Sequence, residues 1–310
     1  MATTANKSGY MSVKRSKRIF YISMMLLPML QTLIFYFFVN FRSFTLGFTK
    51  YDMATNSYPF NGFNNFVEIF RDFSKDPYLR NSLLNSLQLF FLTLLFSALP
   101  SIVFSYYIYK KHTMSGFFKI ILYTPHIIST VVFVLMYKYF LDNAIPEIAN
   151  RLFDVEMEGL IGNVSNMGTV KTCVIVFQIW VSFGTKVLLY SGAMSGISDS
   201  IIESGKLDGI TPMKELFFIV LPMIWPTFVT FMITSIVGLF TDQMGLYTFY
   251  GTGADKSLYT FGYYLYRNTK VATLTDYPYL SALGLMLTVV AVPVTLLTRK
   301  ALEKYGPKTV

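Results

Sequence analysis

Long apolar runs alternate with polar segments along the whole chain, and their length is the first signal. A helix needs about 20 mostly apolar residues to cross the hydrocarbon core of a bilayer. Six runs meet that requirement, at residues 19–41, 83–109, 117–140, 170–197, 224–246 and 279–298. The second is interrupted at Pro100, the third carries Lys119, His126 and Lys138, and the fourth holds Gln178 and Lys186. The first run is long for the apolar region of a signal peptide. Phe35-Tyr36-Phe37-Phe38 is also a poor cleavage site, so a removed leader is not expected.

Composition supports the spans. Hydrophobic residues make up 53% of the 310 positions and charged residues 14%, against about 25% in a soluble domain. Phe, Tyr and Met stand where charges are missing, which excludes a disordered chain and argues against an ordinary soluble α/β enzyme. One cysteine, Cys173, forms no internal disulfide and no cysteine metal site. The net charge of +9 would suit a nucleic-acid binder if it formed a stripe interleaved with exposed aromatics. Instead the charges sort by loop. With the N-terminus inside, Lys7, Lys14, Arg15, Lys17, Arg18, Lys110, Lys111, Lys206, Lys214, Arg299, Lys300, Lys304 and Lys308 fall inside, accompanied by Asp199, Glu203, Asp208, Glu215 and Glu303. Most other acids, among them Asp52, Asp72, Asp76, Glu147, Asp154, Glu156 and Glu158, fall outside. The positive-inside rule therefore predicts six spans with both termini in the cytoplasm. It divides the chain into a basic cytoplasmic tail at 1–18, a membrane domain at 19–300 and a cytoplasmic tail at 301–310. Outside segments of about 30–40 residues are expected at 42–82, 141–169 and 247–278.

The inside segment at 198–223 has the richest local chemistry. Ser200 and Glu203 make an S-x-x-E capping box that starts a short helix. Leu207-Asp208-Gly209 breaks it, with Gly209 suited to a positive φ. Thr211 then offers a cap, and Pro212 suits a first helical position. Pro222 and Pro226 close the unit at the membrane surface. The result is a short helix lying on the cytoplasmic face, with Ile201, Ile202 and Leu207 as its apolar contacts.

This segment resembles the EAA signature of ABC-importer permease subunits of the carbohydrate-uptake type: E-A-A, three residues, G, nine residues, I-x-L-P. The matching positions are Glu203, Ser204, Gly205, Gly209, Ile219, Leu221 and Pro222; Ser204 and Gly205 replace the alanines, and Leu207-Asp208-Gly209 is the form of the carbohydrate branch. Further similarities follow in chain order. Asn61-Gly62-Phe63-Asn64-Asn65-Phe66 resembles the first outside loop of maltose-type permeases, and Asn81 to Ser86 the start of their next span. Pro125 to Ser129, Phe240-Thr241, Gly251-Thr252-Gly253 and Tyr263-Tyr264-Leu265-Tyr266-Arg267 resemble later motifs of that family. The resemblance implies an all-α integral membrane protein with the type I ABC-importer permease fold. It implies a second permease subunit, two ATP-binding subunits and an extracytoplasmic sugar-binding protein as partners, in the cell membrane. ATPase coupling would fall to Glu203, Ser204, Gly205, Leu207, Asp208 and Gly209. No G-x-x-x-x-G-K-[ST] occurs, since Gly205-Lys206 precedes leucine; ATP and Mg would belong to the partner ATPase, with no cofactor on this chain.

Polar residues inside spans usually face protein or water. Gln178, Ser182 and Thr185 recur at i, i+4 and i+7, as do Ser235, Leu239 and Asp242, so each set shares one helix face. These six are the candidate substrate path, with interhelical hydrogen bonding as the competing use. Tyr123, Trp180, Tyr190 and Phe240 are weaker candidates for stacking on sugar rings. Ser191 to Gly196 carries small residues four apart, which suits close helix packing. His112 and His126 stand alone, and no catalytic Ser/His/Asp set or carboxylate pair is visible, so the chain is expected to be a non-catalytic transport subunit. A secondary transporter or channel needing no ATPase is the rival from another class, and import of a non-sugar solute the rival within it.

Overall fold

The computed structural model describes residues 7–162 and 166–307. Residues 1–6 of the basic tail, 163–165 of the second outside segment and 308–310 of the C-terminal tail, including Lys308, lie outside the described residues. Among the described residues no strand forms; Thr49 pairs with Phe60 and Asp52 with Ser57 as isolated bridges. Among the described residues, five helices are long and apolar enough to span a bilayer, and a bent pair makes a sixth when counted as one span.

The chain divides into two compact units. The first comprises residues 1–69 and 273–285. Helix α1 runs as Lys7–Thr32, a π turn at Leu33–Val39 and a last stretch Asn40–Leu46. Its large apolar side chains from Ile19 to Tyr36 are exposed, which suits lipid or another chain. The Asn-rich motif closes its end. Buried Asn65 donates from Nδ2 to the carbonyls of Gly47 (2.8 Å) and Thr49 (2.7 Å), and Phe48, Phe63 and Phe66 cluster beside it. The motif also opens α2 (Asn64–Lys75).

The second unit comprises residues 70–272 and 286–310. Helix α3 (Pro77–Tyr109) starts from an N-cap at Asp76, whose carboxylate accepts from Tyr78 N at 2.9 Å, with Pro77 at the first helical position. Pro100 does not break it. The register widens to a π turn at Leu94–Ala98 just ahead of the proline. A proline ring clashes with the carbonyl four residues back and supplies no donor, and the wider turn accommodates both defects. The same device recurs at Phe140–Ala144 before Pro146 and at Leu216–Val220 before Pro222.

The expected third span at 117–140 is not one helix. It is α4 (Ser115–Ile127) and α5 (Thr130–Phe153), bent by 106°. Ile128 and Ser129 between them are extended, with ψ of 141° and 131°. Pro125 removes a donor in the last turn of α4, and the helix stops there. Residues 141–153, expected in an outside loop, continue α5. Helix α6 (Met167–Met194) crosses α4 closely at Gly184, where a Cβ would run into the Leu122 carbonyl; Gly192, within the small-residue stretch expected to pack, faces open space.

After α6 come α7 (Asp199–Leu207) and α8, which runs as Pro212–Glu215, the π turn Leu216–Val220 and Leu221–Thr241. Pro222 and Pro226 therefore lie inside a helix and do not end the preceding unit. Helices α9 (Leu246–Tyr250), α10 (Phe261–Val271) and α11 (Tyr277–Tyr305) complete the chain. Trp225 Nε1 donates to the Leu302 carbonyl at 3.0 Å, tying the end of α11 to α8. Two apolar clusters form in this unit. One gathers Val134, Val174, Phe177, Leu246, Phe249 and Tyr263 around the first half of α6. The other gathers Ile102, Tyr106, Tyr190, Met194, Ile202, Leu216 and Ile224 around its last turns.

Candidate functional site

Between those clusters, α3, α6 and α8 leave a cavity of about 340 Å³. Gln178, Ser182, Thr185, Ser235, Leu239 and Asp242 all line it. The two faces read from spacing alone therefore meet in one space. Gln178 Nε2 donates to Asp242 Oδ2 at 3.1 Å, bridging α6 and α8. Met244 N donates to the other carboxylate oxygen at 2.7 Å, so Asp242 also turns the chain at the end of α8. Thr185 Oγ1 lies 2.8 Å from His126 Nε2, linking α6 to α4.

Sequence spacing missed two parts of this wall. Lys186 is 7% exposed, and its Nζ donates to Ser182 Oγ (2.6 Å) and Ser97 Oγ (3.1 Å). A charged residue in a span, four positions after Ser182, was the available signal. Helix α3 supplies Ser86, Leu89, Phe90 and Thr93. Its seven-residue recurrence of Ser86 and Thr93 is a helical face hidden in a mainly apolar run. The aromatic rings in the lining are Phe90 and Phe231; Tyr123, Trp180, Tyr190 and Phe240 are not among its residues. Tyr190 instead packs on Phe231 with ring centroids 4.9 Å apart.

One end of the cavity is fastened by the loop before α10. Phe261 N donates to Ser86 Oγ at 2.9 Å, and Thr260 Oγ1 donates to the Asp242 carbonyl at 2.7 Å. Asn85 Nδ2 donates to the carbonyls of Ser257 and Tyr259, both at 2.8 Å. The Tyr263 motif holds the Gly251-Thr252-Gly253 turn: Tyr263 Oη donates to the Gly251 carbonyl (2.8 Å) and Arg267 Nε to that of Thr252 (3.1 Å). Asp255 sits outside the spans, where bonds from the Ser257 hydroxyl and amide hold its carboxyl below the ordinary value of 3.8.

The segment at 198–211 forms the predicted helix and turn with one correction. Helix α7 starts at Asp199, with Ser198 at the N-cap position, and the Ser200–Glu203 capping box does not form. Ser198 and Ser200 pair through their hydroxyls at 2.7 Å, which takes the side chains away from the backbone donors. The C-terminus closes as a Schellman motif. Gly209 N donates to the Lys206 carbonyl (3.0 Å) and Ile210 N to that of Gly205 (3.2 Å), with Gly209 at φ +72°. Buried Ile202 and Gly205 face inward; a Cβ on Gly205 would lie 2.6 Å from Ile219 Cδ1. Glu203, Ser204, Asp208 and Gly209 are exposed, and Leu207 is 88% exposed. Among the described residues no group of three or more His, Cys, Asp and Glu could hold a metal.

A family described as binding-protein-dependent transport system inner membrane component matches residues 79–304. A probable ABC transporter permease protein of Mycoplasma genitalium is 26% identical over 69% of this chain, and the match spans 65% of that protein's own length, less than two thirds. Among the similar solved structures are two of alginate transporters. One, of a bacterial ABC transporter involved in the import of the acidic polysaccharide alginate, gives a TM-score of 0.75 at 20% identity over 94% of this chain and 98% of that one. The other, of a bacterial alginate ABC transporter in complex with an alginate pentasaccharide-bound periplasmic protein, gives 0.72 at 21% identity over 96% and 99%. At these identities the likeness to the solved structures is one of fold.

Proposed function

We propose, on the premise that the chain belongs to the family of binding-protein-dependent transport system inner membrane components and so is a multi-pass membrane permease with the type I ABC-importer fold, that it forms half of the path by which such an importer carries a carbohydrate inward. The rest of the reading follows from that role. Six spans, with α4 and α5 counted as the third, leave both termini cytoplasmic. ATP and Mg are used by two separate ATP-binding subunits, a second permease completes the path, and an extracytoplasmic binding protein delivers the sugar. The chain itself performs no covalent chemistry.

One arrangement carries the reading. Helix α7 is anchored by Ile202 and Gly205 beside the start of α8, while Glu203, Ser204, Leu207 and Asp208 remain available to a partner. Farther along, the same α8 walls the polar cavity with Ser235, Leu239 and Asp242. A push on α7 therefore reaches the cavity through one continuous helix. The carbohydrate assignment draws support from the Leu207-Asp208-Gly209 form of the loop and from a cavity that offers amide, hydroxyl, ammonium and carboxylate partners for sugar hydroxyls. The alginate transporters of similar fold, one of them involved in import, point the same way.

Reconstitution tests it. The complete complex in proteoliposomes should take up an oligosaccharide only with ATP inside the ATPase compartment and a loaded binding protein on the opposite side. Uptake that persists without ATP and follows an ion gradient would overturn the assignment.

A further inference from the structure

The pairing of Lys110 with Glu215 sets it apart from the other ion pairs of the described residues. Glu147 with Arg151 and Arg299 with Glu303 are exposed pairs four residues apart on single helices. Lys110–Glu215 joins the end of α3 to the beginning of α8, and Glu215 is 5% exposed. Each charge sits at the helix end that favours it: Lys110 at the C-cap of α3, Glu215 in the first turn of Pro212–Glu215. The Lys110 ammonium also lies 5.4 Å from the Tyr106 ring centroid and 5.6 Å from that of Tyr109. Tyr106 and Leu216, next to these residues, belong to the apolar cluster that holds Ile202 of α7.

We propose that the Lys110–Glu215 pair is the rigid joint through which displacement of α7 is passed to α3, so that α3 and α8 move as two walls of one cavity. This rests on the coupling role proposed above for α7. Apolar side chains resist separation but slide past one another, because dispersion and burial are non-directional. An ion pair with one buried partner resists shear as well: the Lys110 side chain is 20% exposed, but Glu215 is buried and its charge would be left uncompensated. Helix α3 contributes Ser86, Leu89, Phe90 and Thr93 to the cavity; Ser97 and Ser105 bond it to α6, and the Lys110–Glu215 pair is the charged tie of its end to the beginning of α8. Lys110 and Glu215 are positioning residues in this scheme and do not line the cavity.

The test uses the complete complex in proteoliposomes, comparing wild type with Glu215→Lys, Lys110→Glu, the double exchange, and the near-isosteric Glu215→Gln. Sugar uptake, ATP hydrolysis and the amount of assembled complex are measured on each sample. Each single reversal should lower uptake per ATP hydrolysed by about tenfold, and the double exchange should recover it to within about threefold of wild type. Glu215→Gln, which keeps the shape, should assemble normally and still lose about threefold or more. Wild-type uptake per ATP in Glu215→Gln would overturn the joint, as would a double exchange no better than either reversal. A loss of uptake that only follows the amount of complex would overturn it too. The wild-type sample separates the two readings: absence of ATP-driven uptake there removes the proposed import function on which the coupling role rests, whereas the ratio of variant to wild type reports on the joint alone.

Discussion

Gly205 and Gly209 serve α7 in different ways. A Cβ on Gly205 would lie 2.6 Å from the terminal methyl of Ile219, which would have to move to admit it, and Gly209 takes a left-handed conformation that costs a β-branched residue about 1–2 kcal/mol. Gly209→Val should therefore unwind the Schellman turn, and Gly205→Val should lift α7 off α8. Both proteins should insert at normal levels and lose ATP-driven uptake; immunoblotting of membranes beside uptake checks this, and normal uptake in both would remove the need for a fixed α7. Inside the cavity the relevant quantity is one hydrogen bond. Gln178→Ala or Ser235→Ala leaves a sugar hydroxyl or a protein partner unpaired, a cost of about 1–3 kcal/mol. That corresponds to roughly five- to hundredfold in apparent affinity at the membrane site. Sugar capture by the binding protein should not change. Wild-type transport in both variants would leave these side chains as helix-packing bonds, Gln178 to Asp242 among them.

At the scale of elements, three prolines do not act as their residue type suggests. Pro100, Pro146 and Pro222 each follow a π turn by two residues, and each helix continues. Pro125 has no such turn, and α4 ends after Ile127. A list of residue types does not encode which of these outcomes a proline takes: Pro226 and Pro293 lie inside continuing α-helix with no π turn immediately ahead of them. Helix α7 makes the opposite point. Its stop at Leu207-Asp208-Gly209 is local chemistry and is legible in sequence, whereas its start is set by two serines bonding each other in place of a capping box. Because Glu203 is exposed on α7 and outside any capping box, its charge is available to a partner. Glu203→Lys should preserve membrane insertion and the melting temperature of the purified complex, while ATP hydrolysis no longer rises on addition of the loaded binding protein. Normal stimulation would show that Glu203 is dispensable at the contact.

For the whole molecule, the proposed function places energy source and path on different chains. The sequence has no phosphate-cradling G-x-x-x-x-G-K-[ST] loop. The purified chain alone should neither bind ATP tightly nor hydrolyse it; equilibrium dialysis with labelled nucleotide and a phosphate-release assay check both. Hydrolysis by the isolated chain at the rate of the assembled complex would contradict the division of labour. The lipid-compatible exterior follows the same economy: α1 exposes its apolar residues from Ile19 to Tyr36, while the cavity wall in the second unit carries Lys186 and Asp242.

The positions of five long apolar helices, the turn at Gly209 and the two polar faces Gln178-Ser182-Thr185 and Ser235-Leu239-Asp242 were determined by the sequence itself. Each depends on length, φ preference or helical period, all of which act over fewer than about 25 residues. Tertiary structure alone decided that these faces enclose one cavity, that α3 supplies its third wall, and that Lys186 is held by Ser97 and Ser182. It likewise decided the bend between α4 and α5 and the meeting of Lys110 with Glu215. These outcomes join residues from separate helices, or depend on which backbone register relieves a proline. They follow from how helices pack, and the order of residues along one helix does not contain that information.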